Sequence, residues 1–262
     1  MEPTLAWGAD GASRTRKRRA DRRDRLAGIV RAELLPRLLA NPLARRAPTV
    51  LPADPDALAR GVVVAGDYDA ARMAIAARLR SGATLPSVMQ DDFAAAARRL
   101  GDYWREDACD FVAVTLATRA LGDVLRGFLP EITPLKAALS LLISPAPGEA
   151  HLFGAEIVAN LFGLAGWRAI CCEADRARAR LAREAFDVAA FSLSCDRHLD
   201  GLSLAIRDAR AVSRHRRIRI LVGGPAFAAR PELAERLGAD YCASEYDMRL
   251  QFPHAILQAL RL

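Results

Sequence analysis

The sequence predicts an α/β architecture: a small four-helix bundle followed by a parallel, doubly wound, five-stranded sheet. Three observations predict it. From residue 134 on, short apolar runs alternate strictly with helical patterns. Those runs are apolar on both faces, as strands buried between two helix layers are. Between about 55 and 128, in contrast, the apolar residues recur at helical spacing only, broken by brief turns.

The elements follow in order. Residues 1–23 read as an unstructured lead, and a helical pattern (Leu26, Ile29, Val30, Leu34, Leu35, Leu38) then runs from Asp24 to Asn41-Pro42. The prolines of 47–55 make a linker. Asp54 is placed to cap a first bundle helix reaching Val64, Asp67 a second that stops at Gly82, and Ser87 a third running through Phe93, Ala97 and Leu100. Asp107 or Asp110 opens a fourth, with Phe111, Val114, Leu121 and Leu125. Strands are predicted at 138–144, 167–171, 187–193, 219–224 and 240–243. Helices are predicted at 150–165, 174–184, from the third strand to about 213, at 232–237 and at 247–260. Three parts result: a basic arm with one helix (1–54), a helical cap (55–133) and an α/β domain (134–262).

Composition narrows the class. Of the 262 residues 52% are hydrophobic and 26% charged, which excludes wholesale disorder. No run of about 18 uncharged apolar residues occurs, so the expectation is a cytoplasmic protein without a membrane span. Five cysteines form no CxxC pair, which suggests neither a disulfide framework nor a zinc knuckle, although vicinal Cys171-Cys172 is a candidate redox pair. The net charge of +7 is uneven: Arg14, Arg16, Lys17, Arg18, Arg19, Arg22, Arg23 and Arg25 crowd one run. Such an arm suits an acidic protein surface, nucleic acid or solvent; without interleaved aromatics it is no base-stacking platform.

Ligands of doubly wound sheets sit beyond the carboxyl ends of the strands, which directs attention to the loops 144–151, 192–199 and 223–227. The first carries Glu149, His151 and Gly154. An imidazole just before a helix can bind a metal through one nitrogen while a carboxylate two residues earlier holds the other. The second carries Ser192 and Ser194, hydroxyls able to extend that network; His198 beyond them is a competing ligand. Gly223-Gly224 in the third lets a planar or nucleotide-like group lie against bare backbone. No GxGxxG, P-loop or GxSxG is present, so the usual dinucleotide, phosphate and hydrolase fingerprints fail.

Together, the three loops resemble the corrinoid-binding set DxHxxG, SxL and GG carried on a flavodoxin-like (Rossmann-type) sheet. Segments 66–70, 98–104 (with Trp104) and 114–119 resemble the helical cap that covers a corrin. Two positions depart from the pattern: Glu149 stands for the Asp, and Ser194 for the leucine. The form PGEAHLFG, with WREDACDF in the cap, is most similar to the AerR/PpaA antirepressors of photosynthesis genes. Photoreceptor repressors of the same superfamily carry a Glu-His pair where this chain has Val114-Thr115, and they begin with a winged-helix domain for which residues 1–54 are too short.

The resemblance implies a non-enzymatic regulator that binds cobalamin (adenosyl-, methyl- or hydroxocobalamin) and relays light or cofactor status to a transcription repressor of the CrtJ/PpsR type. Any DNA contact would then be indirect, through that partner. It implies His151 as the cobalt ligand, with Glu149 and Ser192 behind it. Ser194, Gly223 and Gly224 would line the slot for the displaced nucleotide tail, Gly154 would be a further cofactor-binding residue, and Trp104 would pack over the corrin. On the residues alone Trp104 is equally an ordinary bundle-core aromatic. Two alternatives stay open: a corrinoid methyl carrier of a methyltransferase system, and a haem sensor using His151 on iron.

Overall fold

The computed structural model describes residues 50–62, 68–130, 139–228 and 230–243, which belong to one compact unit. The basic arm with its helix, the Asp67 cap and the helix expected at 247–260 lie outside the described residues. The bundle comprises α1 (Pro55–Arg60), α2 (Tyr68–Arg80), α3 (Leu85–Val88), a π-helical segment (Met89–Ala94), α4 (Ala95–Arg105) and α5 (Phe111–Arg126). Asp54 caps α1 through Ala57 N (2.8 Å), and Asp110 caps α5 through Ala113 N (2.7 Å). Asp107, the other candidate there, sits at φ 55°, in the turn. The third helix starts earlier than expected. Thr84, not Ser87, is its cap, because Pro86 suits the first turn and the Ser87 amide donates to Thr84 Oγ1. The π-helical segment was not foreseen; it keeps Met89 and Phe93 inside and points Asp92 at Arg78 (3.0 Å), a buried pair. Burial pushes the Asp92 carboxyl up despite that guanidinium.

The sheet consists of β1 (Ser140–Pro145), β2 (Arg168–Cys171), β3 (Val188–Ser192), β4 (Arg219–Gly223) and β5 (Tyr241–Ala243). Its order is β2-β1-β3-β4-β5 and every pairing is parallel. The connecting helices are α6 (Phe153–Leu164), α7 (Ala174–Arg183), α8 (Leu199–Val212), α9 (Pro225–Ala228) and α10 (Glu232–Arg236). Expected and observed ends differ by a residue or two, except that α6 begins at Phe153 rather than Ala150. The intervening residues are spent on the loop described below. The short α9 was not expected.

Alternate strand residues separate two cores. Leu142, Ala189, Phe191 and Ile220 face α7 and α8, while Leu141, Ile143, Ala190 and Leu221 face α6. Helix α6 is apolar on two sides. Ala155, Ala159 and Phe162 pack on the sheet, while Phe153, Ile157 and Leu161 join the bundle core with Leu121, Val124 and Leu125. The helix that follows the β1 loop is thereby clamped between bundle and sheet. The strand order changes direction between the parallel strands β1 and β3, so their following connections leave to opposite faces and open a crevice at the strand ends.

Candidate cofactor site

The β1 loop is built by a turn that the sequence spells out. Ala146-Pro147-Gly148-Glu149 closes with Glu149 N donating to Ala146 O (2.9 Å), and Gly148 has φ 84°. Proline at the second position and a left-handed glycine at the third make a type II β-turn. Gly148 is doubly required: a Cβ there would come within 2.7 Å of His198 Nδ1. The turn folds Glu149 inward, so its side chain is only 3% exposed, while His151, two residues on, is 60% exposed.

Both oxygens of Glu149 are engaged. Oε1 accepts from the His151 ring at Nδ1, and Oε2 accepts from Ser194 N (3.0 Å) in the β3 loop. One carboxylate therefore ties the two loops together across the switch point. Burial would push its pKa up, but hydrogen bonds from the His151 ring and the Ser194 amide, with the imidazolium charge, bring it down to about 2. The hydrogen bond to Glu149 in turn raises His151, against burial and the opposing charge of Arg197. An ionised carboxylate only accepts, so Nδ1 carries the proton in neutral His151, and Nε2 is left with its lone pair. A carboxylate-oriented imidazole with a free Nε2 is the arrangement of metal-binding histidines. Among the described residues no cluster of three or more His, Cys, Asp or Glu could hold a bare ion. The donor set accordingly suits a metal that brings its remaining ligands with it, as in a macrocycle.

The other expected residues fall around this pair. Ser192 ends β3; its carbonyl accepts from Ala146 N (2.8 Å), but its hydroxyl makes no bond to Glu149 or His151. The main-chain amide of Ser194 takes the part expected of that hydroxyl. Gly223 ends β4 and Gly224 has φ 109°, with the Leu193 backbone directly against it. Gly154 lies in the first turn of α6, where a Cβ would meet nothing within 4 Å. Trp104 is not a core aromatic: it is 53% exposed at the end of α4, and Phe111, Val112 and Leu116 are exposed just across the turn on α5. His198, the competing ligand, accepts at Nε2 from Arg197 Nε (3.0 Å) and lies with Nδ1 towards Gly148, where an added Cβ would come within 2.7 Å. Sequence reasoning missed Arg197. The vicinal cysteines are weak nucleophiles, since burial, Glu156 and the neighbouring thiol push Cys171 up to about 12, and burial also raises Cys172.

Residues 139–248 match the family described as B12 binding domain. The matched segment spans all five strands and both loops that Glu149 ties together. A Rhodobacter capsulatus protein described as an uncharacterized 20.5 kDa protein in the bchF-crtJ intergenic region is 28% identical over 161 residues, 58% of this chain and 83% of the relative. Among solved structures, the monomethylamine corrinoid protein of Methanosarcina barkeri superposes with a TM-score of 0.58 at 15% identity, covering 76% of this chain and 95% of that one. That likeness shows the shared fold. The site suits a corrinoid: His151 would hold the cobalt through Nε2, and Glu149 would hold His151. Among the described residues no helix is long and apolar enough to cross a membrane.

The coupled pair would make the uptake of a metal through His151 depend on pH. A proton on Nε2 must leave before metal can bind, so below the raised pKa of His151 affinity should fall about tenfold per pH unit. Glu149→Gln removes the main cause of that raise, and the acid-side fall should move to lower pH. At pH 8 the same variant should bind about 10–100-fold more weakly, since the imidazole is no longer oriented by a charge. Hydroxocobalamin titrations followed by absorbance between pH 5 and 8.5 check both statements; parent-like affinity with an unmoved pH profile would show that Glu149 does not orient the ligand. For stability the signs are opposite. The contribution of Glu149 is complete above its ordinary 4.5 and is lost as pH falls towards 2. That of His151 is complete below its ordinary 6.5 and fades as pH rises through its raised value.

Proposed function

We propose that this protein is a cytoplasmic, non-enzymatic transcription regulator that binds cobalamin through His151 and relays light or cofactor status to a repressor of the CrtJ/PpsR type, acting as its antirepressor. The cofactor half rests on the exposed imidazole whose Nδ1 is held by a buried, ionised carboxylate. The regulatory half is supported by the Rhodobacter capsulatus relative, whose name places its gene in the region between bchF and crtJ. Bound cobalamin would supply a chromophore with an exchangeable cobalt ligand. The apolar residues flanking the α4–α5 turn, Trp104, Phe111, Val112 and Leu116, offer the kind of surface a macrocycle covers.

A corrinoid methyl carrier is the second reading, favoured by the fold shared with the monomethylamine corrinoid protein. The two separate on partners: an antirepressor changes repressor–operator association with the cofactor state, whereas a carrier takes up a methyl group from a partner enzyme and leaves the operator complex untouched. Absorbance spectra after adding hydroxocobalamin, or haemin for the iron alternative, identify the group. Operator binding by the repressor, measured with the loaded protein in darkness and in light, tests the role.

The basic run belongs to the partner side of this proposal, because it lies outside the segment that resembles corrinoid proteins. A chain beginning at residue 47 is expected to keep normal corrinoid uptake. Its association with a repressor–operator complex should weaken and lose most of its salt dependence; for phosphate contacts the log–log slope is about −0.9 per charge. A folded, truncated chain that no longer takes up cobalamin would join the arm to the cofactor domain instead.

A further inference from the structure

We infer that Arg197 is a specificity-determining residue that recognises the phosphodiester in the nucleotide tail of a complete corrinoid. The inference rests on the cobalamin reading above. Arg197 lies in the 3₁₀ turn Asp196–His198 of the β3 loop, on the crevice side opposite the His151 loop. Its Nε donates to His198 Nε2 (3.0 Å), and His198 in turn sits against Gly148 in the turn that presents Glu149 and His151. The guanidinium is thereby anchored from behind, next to the ligand loop, and its charge opposes protonation of His151. Its side chain is exposed, and no carboxylate among the described residues pairs with it. The neighbouring Asp196, which would otherwise neutralise it, is bound to Arg230. Glu149 is likewise spent on His151 and the Ser194 amide.

The chemistry of the cofactor supplies the anion. When an imidazole takes the lower coordination position, the cofactor's own base leaves it, and the tail that tethers this base emerges on the same side of the macrocycle as the imidazole. That tail carries one phosphodiester, and a guanidinium with two free Nη groups is the side chain best matched to its oxygens. An isolated surface arginine would need no such support from His198 and Gly148.

The full chain is titrated with hydroxocobalamin and with aquocobinamide, a corrinoid that ends before the phosphodiester. Arg197→Gln should weaken hydroxocobalamin binding about tenfold or more, the usual scale of a charge-assisted hydrogen bond, and leave cobinamide binding unchanged. Arg197→Lys should recover part of the loss, and rising salt should weaken cobalamin binding in the parent more than in Arg197→Gln. Equal loss for both corrinoids, or loss for neither, overturns the inference while the cobalamin reading stands. A parent protein that binds neither corrinoid overturns both. Because the side chain is exposed, an unchanged melting profile confirms that the variant is folded.

Discussion

Replacing His151 with alanine is expected to abolish the spectral change that hydroxocobalamin produces in the parent protein, with affinity reduced beyond the roughly 100-fold upper range of losses caused by mutating groups behind a metal ligand. The reasoning is local. His151 is the residue at this crevice that presents an unoccupied nitrogen, because Glu149 takes Nδ1 and the side chain is otherwise solvent-facing. His198, close by, already accepts at Nε2 from Arg197 and has its Nδ1 turned towards the Gly148 backbone. The variant also leaves one oxygen of a buried carboxylate without its partner, a cost of about 1–3 kcal/mol. Some loss of thermal stability should therefore accompany the loss of binding, and it should grow above pH 4.5, where Glu149 in the unfolded chain is ionised. Circular dichroism melts and absorbance titrations on the same samples separate the two effects. If His151→Ala retains the parent spectrum and His198→Ala loses it, the ligand has been assigned to the wrong imidazole.

Much of this is legible in the sequence, for reasons that differ from element to element. The strands announced themselves because parallel strands covered on both sides are apolar without alternation, as in Leu141-Leu142-Ile143 and Ile220-Leu221-Val222. The turn that folds Glu149 inward is written in Pro147-Gly148, since one residue fixes φ and the other permits the left-handed value. What the sequence could not carry depends on partners far along the chain. The amide of Ser194 completes Glu149 across 45 positions, and a main-chain donor leaves no mark on residue identity. The sequence points to hydroxyls instead, and the Ser192 hydroxyl bonds neither member of the pair. The two-sided burial of α6 was hidden for a similar reason. A helix apolar nearly all round is compatible with any pair of neighbours, and only packing reveals that Phe153, Ile157 and Leu161 belong to the bundle. Trp104 shows the converse: an aromatic in a helical bundle reads as core, yet its place at the end of α4 leaves it exposed.

Gly224→Ala is expected to have the second-largest effect, acting on fold and site together. Gly224 has φ 109°, a conformation that alanine adopts only under strain. An added Cβ would lie 2.5 Å from Leu193 O and 3.0 Å from Leu193 N, contacts with backbone that no rotamer change relieves. The same stretch is pinned by Leu193 N to Gly223 O (2.9 Å) and Ala226 N to Leu193 O (3.2 Å), so the β3 loop must shift if β4 holds. A shift of Leu193 carries Ser194 with it, and the Ser194 amide is one of the two main supports of Glu149. Strain and lost hydrogen bonds together should cost about 2–4 kcal/mol, which in a protein of this size lowers Tm by roughly 4–16 °C. Corrinoid affinity should fall as well, since Glu149 would hold His151 less firmly. Gly223→Ala provides the comparison: it has no positive φ, and its Cβ would press on Ala243 at 3.2–3.3 Å, so a smaller loss is expected. Should Gly224→Ala melt at the parent temperature and bind cobalamin as tightly, the close approach of the β3 and β4 loops would have no bearing on the grip of Glu149 on His151.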